Sequence, residues 1–456
     1  MEKKSNQVDM LHGSLWKKIT VFAIPIALTN LVSMLFNSAD VAVVGQFSGS
    51  EAIAAVGANS PVINLIVNLF FGLSVGANVF IAEHLGRGEK ERVTQAAHNA
   101  ILVALISGFI IMIIGLLLAR PVLRLIAVPD NIIDMAETYL KIYFLGMPFI
   151  MLYYFENAIF RSMGDTRTPL IVLVIAGIIN IGLNFMFVAG FGMDVDGVAI
   201  ATVMSNVVSA VVLFVMLRRR KDEFHIDYRK FKLNWAIVKK FITIGVPAGL
   251  QGAIFSISNV IIQSFMNSLG SQAVAASTAA YYFEMYSYCF ANAFGHSATT
   301  FVGQNWGGGD FKRCRKSVLV CMALGIGSSA LIGTIFGLFP DFFLSLYTSE
   351  PEVLALAAVR LKIIIFVMWM NAIGDILVAA MRVYGRTVMP TVIYIITICG
   401  VRLGWLYTVF AANSTYENIC IVYPISWIVS SIAIIVAYVL VIRNVGKKLK
   451  AQEVRA

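Results

Sequence analysis

The first half of this chain returns in the second at an offset of about 221 residues, and the match is carried by glycine, proline and polar positions. Pro25, Asn37 and Gly49-Ser50-Glu51-Ala52-Ile53-Ala54-Ala55 are answered by Pro247, Asn259 and Gly270-Ser271-Gln272-Ala273-Val274-Ala275-Ala276. The run from Gly86 to Arg92 is answered by Gly307 to Arg313, and Leu140-Lys141-Ile142 by Leu361-Lys362-Ile363. Arg161, Gly164, Thr166 and Pro169 match Arg382, Gly385, Thr387 and Pro390. One gap near the first loop holds this register, which apolar composition alone does not produce. Solenoid repeats have periods of about 20–50 residues and cannot account for the spacing.

What repeats is a membrane unit. The chain is 59% hydrophobic and 13% charged, with a mean hydropathy of +0.82, whereas soluble domains are about a quarter charged. A span needs roughly 20 apolar residues, and twelve stretches qualify. In the first half they run approximately over 18–43, 53–82, 93–118, 134–160, 168–189 and 196–217. In the second they run over 240–266, 273–303, 316–338, 353–381, 388–411 and 419–442. Their hydrophobicity is continuous rather than alternating, which makes them helices and not barrel strands. The expected fold is an all-α membrane protein of twelve transmembrane helices in two six-helix lobes, residues 1–217 and 240–456, joined by a connector at 218–239. Six is even, so the halves enter the membrane in the same orientation, as parallel repeats about an axis along the membrane normal. A cavity between two bundles is the expected architecture.

The net charge of +10 would suit nucleic acid, but its placement argues against that partner. Of the 35 Lys and Arg, 29 fall before span 1 or after the even-numbered spans. This is the positive-inside pattern, with both termini in the cytoplasm of a cell (inner) membrane and the basic run from Arg218 to Lys232 as an inner connector. Val8 to Lys18 reads as a short interfacial helix with Met10, Leu11, Leu15 and Trp16 toward lipid. The five Cys have no metal spacing, the five His are dispersed, and no phosphate-binding loop or H-E-x-x-H motif occurs. The sequence therefore points to a non-enzyme without cofactor, drawing on an ion gradient to move small molecules.

Polar groups inside spans are functional candidates because charge in lipid is costly. On span 1, Asn37 and Asp40 are spaced i, i+3; on span 5, Asn180 and Asn184 are spaced i, i+4, so each pair shares a helix face. At about 1.5 Å per residue these four and Thr202 on span 6 reach the same half of the membrane. A carboxylate among amide and hydroxyl oxygens suits a proton or Na⁺; the bland alternative is interhelical hydrogen bonding. A second set comprises Glu156 on span 4, Glu284 on span 8, Asp375 on span 10 and Arg402 on span 11, with Asn259 and Gln263 on span 7 and Tyr154 as cavity-wall residues. Glu156 and Asp375 lie at nearly equivalent points of the repeat. For Arg402 an ion pair with one of these carboxylates is the expectation. Lys141, Arg360 and Lys362 lie within predicted helices near span entrances, from which their long side chains can reach inward.

The stretch from Pro25 to Asp40-Val-Ala-Val-Val-Gly45, the segment Arg161-Ser162-Met163-Gly164-Asp165-Thr166-Arg167-Thr168-Pro169 and the turn Gly303-Gln304-Asn305-Trp306-Gly307 resemble the multidrug and toxic compound extrusion (MATE) family, prokaryotic branch, over nearly the whole chain. The resemblance implies an antiporter that exports organic cations in exchange for H⁺ or Na⁺ by alternating access; small organic cations and membrane lipid are the expected partners, and a monomer the expected state. It implies a cation site at Asp40, Asn180 and Thr202, where Asn184 departs from relatives with Asp. With one carboxylate, H⁺ is the expected coupling ion, and Na⁺ at Asp40, Asn180, Asn184 and Thr202 is the alternative. A lipid or lipid-linked-oligosaccharide flippase would show more basic residues in its cavity, and an integral-membrane enzyme would need a clustered nucleophile, metal or acid–base set.

Overall fold

The computed structural model describes residues 6–126, 128–348 and 350–453, and every regular element among them is helical. Span 1 is Leu15–Phe47, span 2 Gly49–Gly86 and span 3 Lys90–Leu125. Span 4 is the pair Ile133–Leu145 and Met147–Ser162, bent by 51°. Span 5 is Arg167–Asn184 continued as a π-helix over Phe185–Gly190, and span 6 is Val195–Arg218. Spans 7, 8 and 9 are Trp235–Asn267, Ser271–Gly307 and Phe311–Leu338. Span 10 is the pair Pro351–Ile365 and Met370–Val383, bent by 42°. Span 11 is Val388–Phe410, with π-helical turns at Ile395–Gly400 and Leu406–Phe410, and span 12 is Tyr416–Glu453.

Nine of the described helices are long and apolar enough to cross a membrane alone, and the two bent pairs make eleven. Span 8 completes the twelve. Its 37 residues exceed the length of a bilayer crossing, but its polar residues, including Glu284, Ser287, Ser297 and Asn305, are buried against other helices and lower its hydropathy. The repeat extends to backbone detail. Left-handed glycines recur as Gly49 and Gly270 (φ +84° and +100°), Gly88 and Gly309 (+72° and +78°), and Gly164 and Gly385 (+74° for the last, +90° for the first). Each ends or starts a helix where a side chain would strain the backbone.

The chain folds into two compact units that do not follow one another in sequence. One comprises Met1–Asp9 with Leu28–Gly249; the other comprises Met10–Ala27 with Leu250–Ala456. Spans 1 and 7 thus each divide between units, at Ala27 and Gly249, a few residues past the repeat-matched Pro25 and Pro247. Proline removes a ladder bond and crowds the preceding turn, which allows a helix to change neighbours there.

In the first unit, span 7 approaches span 2 through glycine: a side chain at Gly249 would overlap the backbone of Leu69, and one at Gly245 would come within 2.6 Å of Leu73 Cα. The connector is fastened to span 3. Thr94 Oγ1 donates to Glu223 O at 2.8 Å, the Asp227 N–H donates to His98 Nε2 at 3.0 Å, and the Asn234 N–H donates to Asn99 Oδ1 at 2.8 Å. In both units large apolar residues lie exposed along the spans, for example Leu117 (72%), Ile178 (64%) and Leu331 (63%), as a lipid-facing surface requires.

The N-terminal segment departs from the expected interfacial helix. The helix begins only at Leu15, Met10 is fully buried, and of the four residues assigned to lipid only Trp16 is exposed. The carbonyls an earlier helix would use are taken by side chains of the second unit. Asn305 Nδ2 and Arg313 Nε donate to Met10 O at 3.2 Å each, and the remaining Arg313 nitrogens donate to Gly13 O and His12 O at 3.0 Å. Gly13 at φ +73° also breaks helical continuity.

Candidate functional site

Asp40 sits near the end of span 1 and is buried. Its position depends on a close approach one turn earlier, where the Phe36 ring lies directly on Gly177 of span 5, in space any side chain would fill. That contact brings Asp40 under the amides one and two turns on. Asn184 Nδ2 donates to Asp40 Oδ1 at 2.5 Å, Thr202 Oγ1 donates to Asp40 Oδ2 at 3.3 Å, and Asn184 Nδ2 also reaches Asn180 Oδ1 at 3.3 Å. One carboxylate is thus held by neutral donors from spans 5 and 6. Asn184 is fully buried and its Oδ1 has no hydrogen-bond partner among the described residues. Span 5 turns π-helical at the next residue, Phe185, and such single-turn distortions are frequent at functional sites. Four of the five residues grouped from sequence meet here. Asn37 does not: it is exposed, because Phe36 rather than Asn37 faces span 5. Tyr139 of span 4 also lies near Asp40 and had no distinguishing signal in sequence.

In the second unit the corresponding spans carry a different cluster. At the repeat offset Tyr423 stands where Thr202 does, Ser426 where Ser205 does and Asn259 where Asn37 does, while Arg402 lies one residue past the counterpart of Asn180. Arg402 is 1% exposed. Its Nε donates to Ser426 Oγ at 3.2 Å, and one terminal nitrogen donates to Ser258 Oγ at 3.1 Å and Asn259 Oδ1 at 2.9 Å. The guanidinium lies 5.1 Å from the Phe255 ring centre and 4.9 Å from that of Tyr423. The ion pair expected of Arg402 is made by Arg360 instead. Arg360 is buried, not at a span entrance, and its Nε and a terminal nitrogen bind Glu284 at 2.8 and 2.9 Å. With both Glu284 oxygens occupied by this fork, Arg402 is left with neutral acceptors.

The remaining candidates separate. Glu156 is fully buried and neither carboxyl oxygen has a hydrogen-bond partner among the described residues, whereas its near-equivalent Asp375 is half-buried and bonded by Tyr288 and Asn292. Span 8 reaches Asp375 because a side chain at Gly295 would come within 2.9 Å of Asp375 Cβ. Tyr154 packs edge-on against Phe71, with centroids 5.3 Å apart. Gln263 is exposed and donates to Asn267 Oδ1 at 2.9 Å on its own helix, away from the Arg402 cluster. Among the described residues no three His, Cys, Asp or Glu side chains gather as a metal site.

Comparison with known proteins agrees with the duplicated architecture. The chain is 29% identical to the probable multidrug resistance protein YoeA of Bacillus subtilis, over 86% of each chain. It is 28% identical to the probable multidrug resistance protein NorM of Thermotoga maritima, over 85% of this chain and 84% of that one. A solved structure described as an outward-facing multidrug resistance MATE family transporter of the MOP superfamily aligns with a TM-score of 0.90 at 24% identity, over 98% of this chain and all of that chain. The MatE family model matches twice, over residues 25–186 and again over 247–408, so that this multi-pass membrane protein belongs to the MatE family of multidrug efflux transporters.

Proposed function

We propose that the protein is a proton-coupled antiporter that exports small, partly apolar organic cations by alternating access, with Asp40 as the coupling carboxylate. The observation that carries this reading is the pairing of one buried carboxylate with neutral donors on two other spans. Protonation of Asp40 removes the only formal charge in that cluster and reverses its hydrogen bonding, because a carboxylic acid has an O–H to donate. Asn184 Oδ1, buried and unpartnered, is an acceptor that a turn of the amide delivers. Spans 1, 5 and 6 therefore have two bonding patterns, one for each protonation state, and a ligand shifts a conformational equilibrium only when it binds the two states with different affinity. In the pattern observed, Asn184 turns its N–H₂ toward Asp40. Na⁺ coordination needs oxygens turned inward, so this arrangement favours H⁺ over Na⁺.

Substrate is drawn by carboxylates and held by aromatic and methionine side chains, which suit cations and varied shapes. The positive-inside distribution supports a cell (inner) membrane location with both termini in the cytoplasm, and in this reading each chain works as a monomer. The test is export of a cationic dye from proteoliposomes with pH and Na⁺ gradients imposed separately. Export that follows the pH gradient is expected. Export that follows Na⁺ alone would overturn proton coupling, and movement of fluorescent lipid without movement of dye would favour a flippase.

A further inference from the structure

Arg402 carries a positive charge in the interior of the second unit, with one terminal nitrogen of its guanidinium unused. Five N–H groups leave a guanidinium. Three point at Ser426, Ser258 and Asn259, and the second terminal nitrogen, buried, has no acceptor among the described residues. The acceptors present are all neutral. Ser426 Oγ gives its own proton to Tyr423 O at 2.9 Å, which leaves a lone pair, not a charge, for Arg402. Of the interior carboxylates of this unit, Glu284 is held by both arms of the Arg360 fork and Asp375 is bonded by Tyr288 and Asn292. A buried charge without a counter-ion costs several kcal/mol, and the fork geometry of arginine suits an oxyanion.

We propose that Arg402 anchors a binding site for the carboxylate of an amphiphilic organic substrate, one that is zwitterionic or acidic rather than purely cationic. The surroundings fit an organic anion. Phe255 and Tyr423 flank the guanidinium, and Met285, Met368, Met370 and Tyr288 pack in the same cluster, so an apolar body has a wall beside the charged anchor. Phe255, Asn259 and Tyr423, which contact the enclosed guanidinium, are themselves only half-buried. The flanking π-helical turns Ile395–Gly400 and Leu406–Phe410 give span 11 local freedom at this point. That the bound anion is also carried rests on the exporter reading; that it binds does not.

The experiment compares two dyes that differ only at the carboxyl group, rhodamine 110 and its methyl ester, rhodamine 123. Their binding to the purified full-length protein is followed by fluorescence anisotropy in chloride-free buffer, without any ion gradient. Wild type is expected to bind the free carboxylate about ten-fold more tightly than the ester, as one charge-assisted fork contact provides. Arg402→Met should bring the two dyes within about two-fold, and Arg402→Lys should retain part of the preference. If neither variant folds, the wild-type ratio decides by itself. Equal affinities, no binding of either dye, or a preference that survives Arg402→Met would overturn the site. Millimolar chloride raising the melting temperature while the dyes bind alike would assign the place to an inorganic anion instead. Failure of dye export in proteoliposomes with the binding preference intact would count against the exporter reading and leave the site standing.

Discussion

The two copies of the repeat put opposite charges among corresponding spans. In the first unit spans 1, 5 and 6 enclose Asp40 with Asn184 and Thr202; in the second, spans 7, 11 and 12 enclose Arg402 with Asn259, Ser258 and Ser426. Both clusters adjoin π-helical turns that begin at matched positions, Phe185 and Leu406. The scaffold has been kept while the chemistry has diverged. A carboxylate can take up and release a proton near neutral pH when its surroundings change, whereas a guanidinium stays charged. The first cluster is suited to switching and the second to holding.

That contrast is broken most severely by Asp40→Asn. Export is expected to fall to the level of vesicles lacking the protein, while expression and thermal stability are retained, because removing a buried charge relieves a burial cost. Normal dye export by a well-folded Asp40→Asn protein would remove Asp40 from the mechanism. Next in size is the buried pair of the second unit. Arg360→Met alone should destabilise by roughly 3–5 kcal/mol because it strands Glu284, and adding Glu284→Gln should restore much of the loss. Thermal melts of the two single variants and the double variant measure this; equal stability of all three would show that the pair is not an energetic unit.

The approach of span 1 to span 5 sharpens the comparison further. Gly177→Ala should push the Phe36 ring away and lengthen the Asp40–Asn184 contact, lowering export several-fold, at a stability cost of about 1–3 kcal/mol for overpacking. Combining it with Phe36→Ala should recover coupling, and an export assay of the double variant checks this. The smallest effect is expected outside both clusters, in the connector. Burial alone would raise the Asp222 carboxyl, but the bonds from Arg220 at 2.9 and 3.0 Å prevail and hold it below the usual carboxylate range. The contribution of this exposed pair is present above the ordinary carboxylate value near 4 and is lost as pH falls below it; after solvent screening it is well under about 1 kcal/mol. Asp222→Asn should leave export unchanged, with only the acid limb of the connector's protease resistance shifted.

Much of this arrangement was legible in the sequence where local periodicity decides the geometry. Asn180 and Asn184 share a face at i, i+4, and the depth estimate for Asp40 and Thr202 brought four of the five grouped residues to one cluster. The same reasoning misplaced Asn37, because i, i+3 spacing does not reveal which neighbour turns inward, and here Phe36 fills the hollow at Gly177. Pairing across long separations was not legible. Arg360 reaches Glu284 across 76 residues, a pairing that the periodicity of neither helix records. Arg402 was assigned an ion pair because a charge in lipid needs compensation, but two serines, an asparagine and two rings supply neutral contacts instead. The π-helical turns leave no periodic signature over five or six residues. The N-terminal segment carried an amphipathic pattern whose carbonyls are claimed by Arg313, some 300 residues away in sequence.

The most direct measurement is proton release on substrate binding. Purified protein in weakly buffered solution near neutral pH is mixed with rhodamine 123, and the pH change is followed with an indicator dye. Wild type should release up to one proton per dye bound, and Asp40→Asn should bind the dye without release. Equal release from both proteins, or dye binding by wild type with no release across the neutral range, would contradict Asp40 as the group that exchanges a proton for substrate.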